Sequence, residues 1–79
     1  MEDSETHEQL KVNTEGDAGP YLMVPLEQLD AVRRVLQQNG IAYVVAEDAI
    51  ELDDRPAIAI VDFGIGADTA RIQAVLNAA

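Results

Sequence analysis

Gly64 and Gly66 stand between an aliphatic run, Ala57 to Phe63, and a helical pattern that begins at Asp68-Thr69. A strand, a glycine turn and a helix N-terminus, in that order, form the arrangement that holds phosphate in nucleotide-binding folds. Glycine lets the backbone approach the anion, and the free N–H groups of the helix face it. The fuller signatures are missing. A dinucleotide fingerprint needs a third glycine where Thr69 stands, then a further strand and an acidic residue about 20 positions on. A P-loop needs Gly-Lys-Ser/Thr, and no lysine follows Lys11. Asp62-Phe63-Gly64 matches a kinase triplet in a chain too short for a kinase domain. Gly64, Gly66 and Asp68 are therefore a candidate anion site in which Asp68 itself competes for the N–H donors. The plainer role is a tight connection from sheet to helix.

Other chemistry is sparse. Glu47, Asp48, Glu51, Asp53 and Asp54 crowd one short stretch, but they lack the spacing of a calcium loop. They read as a charged sheet edge that discourages strand-to-strand aggregation, or as a docking surface for a basic partner. Asp62 is the one charge in the aliphatic run 57–63 and sits close enough to its end to reach water. His7 is the only histidine, Ser4 the only serine, and there is no cysteine. The usual nucleophile–base pairs cannot be assembled from this set, so no enzyme activity, metal or cofactor is expected.

The totals narrow the partners. The 79 residues suit one small domain, and 48% hydrophobic content is that of a folded chain. A net charge of −10, from 15 acids against 5 bases, opposes contact with a nucleic-acid backbone or an anionic membrane. No apolar run approaches the roughly 20 residues that span a bilayer, and the acidic start is unlike a signal peptide, so a cytoplasmic location is expected. Tyr21, Tyr43 and Phe63 are the only aromatic rings, so the core must be aliphatic. A core of this size supplies about 3–5 kcal/mol, and without disulfides self-association is the common supplement.

Residues 1–19 hold six acids, one lysine, and only Leu10 and Val12 as sizeable aliphatics, and they read as a disordered acidic tail. Residues 20–79 read as one α+β domain. Tyr21 to Val24 is strand-like, and Pro25 opens a helix with Leu26, Leu29, Val32, Val35 and Leu36 on one face. Asn39-Gly40 stops it. Ile41 to Ala46 and Ala57 to Phe63 are strands, and Ile50 to Asp53 alternates like a short strand in a hairpin between them. Asp68 caps a last helix with Ile72, Val75 and Leu76 on its apolar face. The order β-α-β-β-β-α predicts a two-layer sandwich: a small mixed sheet of three or four strands, with a right-handed crossover between the first two and both helices on one face.

Both long strands are apolar on both faces, and two helices cover only one. The second face is thus a predicted interface, most simply between two copies of the chain, the alternatives being that Leu10-Lys11-Val12 folds over it or that the face is small enough to tolerate exposure. Its candidate contacts are Tyr43, Val45, Ile58 and Ile60, or the opposite set Val44, Ala59, Val61 and Phe63.

The stretch "VPLEQLDAVRRVLQQNGIAYVV" followed by "AIAIVDFGIGADTARIQAVL" looks like short uncharacterised bacterial proteins with a β-α-β-β-α core. It also resembles a truncated ferredoxin-like unit, as in ACT and PII-type regulatory domains. The resemblance covers Tyr21 to Ala79. Such units run β-α-β-β-α-β, the closing strand is absent here, and no functional residue is carried over. The expected function is a non-enzymatic, self-associating protein-interaction or regulatory module. An acidic inhibitor of a basic partner (an antitoxin, an immunity protein or a nucleic-acid mimic) and a small-ligand sensor are the alternatives.

Overall fold

The computed structural model describes residues 1–15, 19–46, 50–52 and 55–79. Strand β1 (Tyr21–Pro25) leads through a 3-10 turn, Leu26–Gln28, into helix α1 (Leu29–Gln38). Two short strands, β2 (Val44–Val45) and β3 (Ile50–Leu52), precede the long strand β4 (Arg55–Asp62) and helix α2 (Thr69–Ala78). This is the expected α+β two-layer sandwich. Pro25 ends β1 rather than opening α1, and the 3-10 turn makes the transition.

β4 is central. β1 lies along one side, with Leu22 opposite Val61 and Val24 opposite Ala59. β2 lies along the other, with Val44 opposite Asp62 and Val45 opposite Val61. β3 pairs with the same side of β4 further along, Ile50 opposite Ile58. Every pairing is antiparallel, so the sheet is not mixed as the sequence predicts. The reason is topological: β4 inserts between β1 and β2, which are parallel to each other without touching. The expected β2–β3 hairpin is replaced by two strands that share one side of β4.

Helix ends follow the local signals. Asn39 and Gly40 close α1 in a Schellman motif: Ile41 N–H donates to Leu36 O at 3.0 Å and Gly40 N–H to Gln37 O at 3.2 Å. Gly40 takes a φ of 66° there. Asp68 caps α2, its Oδ1 accepting the Arg71 N–H at 3.0 Å.

One core lies between sheet and helices. Leu22, Val24, Ala59, Val61 and Phe63 meet Val32 and Leu36 of α1 and Ile72 and Leu76 of α2. Each fully buried aliphatic contributes about 1.5–3 kcal/mol. Leu10 and Val12 belong to the same core, 3% and 5% exposed. This corrects the reading of residues 1–19 as a disordered tail, as far as residues 1–15 are concerned. Their composition has few apolar groups, but the two that matter are two residues apart and fit a space left by the other elements.

Candidate functional site

Alternation along the central strand assigns its faces. Ala59, Val61 and Phe63 are buried, while Ile58, Ile60 and Asp62 are only partly covered and look away from the helices. Across β1 and β2 the register adds Tyr21 and Val44 beside Asp62, and Met23 beside Ile60. Val44 is 69% exposed and Met23 39%. An apolar surface of Met23, Val44, Ile58 and Ile60 therefore covers the sheet face opposite the helices. At its far end Pro25, opposite Ile58, is buried.

The candidate set Tyr43, Val45, Ile58 and Ile60 is split by this arrangement. Ile58 and Ile60 lie on the open face. Tyr43 and Val45 pack against the core on the helix side, together with Ala59, Val61 and Phe63. Val44 crosses to the open face. The correction is one of register: Val45 sits opposite Val61, and cross-strand partners share a face. The Tyr43 hydroxyl confirms its side, accepting from Gln37 Nε2 at 2.8 Å and Arg33 Nε at 3.2 Å, both on α1. The Arg33 hydrogen bond holds the Tyr43 phenol below its ordinary value, and the Arg33 guanidinium is raised in turn.

Gly64 and Gly66 make the connection from β4 to α2. Gly64 and Gly66 have φ of 85° and 88°, and Ala67 N–H closes the turn onto Gly64 O at 3.2 Å. A shallow hollow of about 190 Å³ opens between Gly40–Ala42, Phe63 and the start of α2. The charged groups around it already have partners. Asp68 takes an N–H of its own helix, and Arg71 Nη2 donates to the Asn39 carbonyl at 2.6 Å. Glu47, Asp48, Asp53 and Asp54 lie outside the described residues.

The N-terminal segment carries interactions that sequence reading misses. Residues 1–10 fold back on themselves, with Asp3 N–H donating to Glu8 O and Leu10 N–H to Met1 O. The turn grips the start of the helical region: Ser4 N–H donates to Gln28 Oε1 at 2.9 Å, and Gln28 Nε2 to Glu2 O at 2.6 Å. The neighbouring Glu27 carboxyl raises that of Glu5 above the ordinary range. Gln73 on α2 binds the backbone of Leu10 and Val12. The signal in the sequence is the Leu10-Lys11-Val12 alternation, whose expected place, the second sheet face, is not where it packs: it lies on the helix side against Gln73 of α2.

No helix among the described residues is long and apolar enough to cross a membrane. Comparisons with protein-family models, curated proteins and solved structures find no match to this chain.

Proposed function

We propose that this chain is a non-enzymatic interaction module that self-associates through the open face of its sheet. The observation that supports the reading is the apolar surface of Met23, Val44, Ile58 and Ile60 opposite the helices. Two such sheets stacked face to face, about 10 Å apart, remove both surfaces from water. A two-fold axis satisfies the pair, because one patch then meets an identical patch. Asp62 lies at the end of the patch between Tyr21 and Val44, where its carboxylate can remain at the wet rim.

Sedimentation velocity across a concentration series tests this. A dimer is expected, and Ile60→Lys is expected to dissociate it while leaving the far-ultraviolet circular dichroism unchanged. A monomer at about 100 µM, where even a weak specific pair assembles, overturns the reading.

A further inference from the structure

Residues 10–13 lie extended between β1 and α2. On one side Asn13 and Tyr21 exchange both backbone hydrogen bonds, Asn13 N–H to Tyr21 O at 2.7 Å and Tyr21 N–H to Asn13 O at 2.9 Å. On the other side Gln73 replaces a neighbouring strand. Its Oε1 accepts the Val12 N–H at 2.8 Å, and its Nε2 donates to Leu10 O at 2.9 Å. Leu10 and Val12 fill the core between these rails, and Lys11 is exposed.

This is how sheet-adding domains take peptides. Main-chain hydrogen bonds hold the strand whatever its sequence, and pockets for alternate side chains select it. The main-chain pairing is short for a strand of a sheet. Pairing with β1 is a single isolated bridge. Residues 4–9, just before it, are all exposed. Gly19, after it, lies close against the Gly64 backbone.

We propose that the groove between β1 and α2 is a strand-binding site, held shut in cis by the chain's own Leu10–Asn13. Its ligand is an extended peptide with aliphatic side chains two positions apart. The tethered segment competes at an effective concentration of order millimolar, so an incoming strand must displace it. The site is thereby autoinhibited, and it is separate from the open sheet face.

The test uses the full chain carrying Leu10→Asp and Val12→Asp, which ejects the segment and leaves the groove. The probe is a fluorescein-labelled synthetic peptide of residues 8–15. Saturable binding to this variant is expected, at least 100-fold tighter than to the unaltered chain, with a rise in Tm. Adding Gln73→Ala is expected to weaken binding at least tenfold. Absence of saturable binding to the folded variant overturns the proposal, as does binding indifferent to Gln73. Should the double variant not fold, amide exchange in the unaltered chain decides. The Val12 and Tyr21 amides, which hold the segment, are then expected to exchange at least tenfold faster than Leu22 and Val61 in the sheet. Equal protection overturns the proposal.

Discussion

Gln73 holds Val12 as a neighbouring strand would, accepting its N–H at 2.8 Å while donating to Leu10 O at 2.9 Å. One side-chain amide thus satisfies a donor and an acceptor on a segment more than 60 residues away in sequence. Gln73→Leu keeps similar bulk and removes both partners. The expected loss is about 1–3 kcal/mol, read from urea unfolding. A change below about 0.5 kcal/mol would mean that water replaces the amide without penalty.

Leu10 separates a packed segment from a solvated one. Leu10→Ala is expected to cost about 2–5 kcal/mol, the range for a buried leucine. Leu26→Ala, at a position 46% exposed, is the control and is expected to change stability by about 0.5 kcal/mol or less. Equal effects at the two sites would remove Leu10 from the core.

Gly19 and Gly40 differ in their surroundings though both have positive φ, 90° and 66°. An alanine at Gly40 meets open space, whereas at Gly19 its Cβ would lie 2.6 Å from the Gly64 carbonyl carbon. Gly40→Ala is expected to cost about 1–2 kcal/mol for the left-handed backbone alone. Gly19→Ala adds a backbone clash, for about 2–5 kcal/mol in total. Thermal unfolding of the two variants side by side gives the order.

The proximity of Glu5 to Glu27 makes docking of the N-terminal turn pH-dependent. Glu5 has a raised carboxyl in the folded chain, so its contribution is present below the ordinary value near 4.5 and is lost as pH rises through the folded value. Glu5→Gln keeps the bulk and removes the charge. The variant's Tm advantage over the unaltered chain is expected to grow between pH 4 and pH 7. A difference that stays flat with pH would show that Glu5 does not lie beside Glu27 in solution.

Tyr43 reports the other face of α1. Its phenol is held below the ordinary 10.0 by the Arg33 hydrogen bond. Stability from this pair is therefore full above the unfolded value and lost as pH falls through the folded one. In a Tyr21→Phe background, Arg33→Gln is expected to raise the pH midpoint of tyrosinate absorbance. An unmoved midpoint would place the guanidinium away from the phenol in solution.

Much of the architecture was legible where the cause is local. Gly40 as a helix stop, Asp68 as a cap and the aliphatic face of Val32 and Leu36 follow from neighbours within one or two turns. The faces of the strands were not legible, because Ile41 to Ala46 and Ala57 to Phe63 are apolar on both sides and alternation alone cannot set their register. Where Leu10 and Val12 pack was not legible for the same kind of reason. Their burial depends on Gln73 and Leu76, which no short window contains.

The link between residues 10–13 and α2 also sets an order of events during synthesis. Leu10 and Val12 leave the ribosome long before Gln73 exists, since the hydrogen-bonded pairs are separated by 63 and 61 positions. At about 5–20 residues per second, that interval is several seconds. Until α2 emerges, the two aliphatics have no groove to fill, and the acids around them keep the nascent segment in water. The core closes only when α2 arrives, so in chains stalled before Gln73 the Val12 N–H and the Leu10 carbonyl lack their partner.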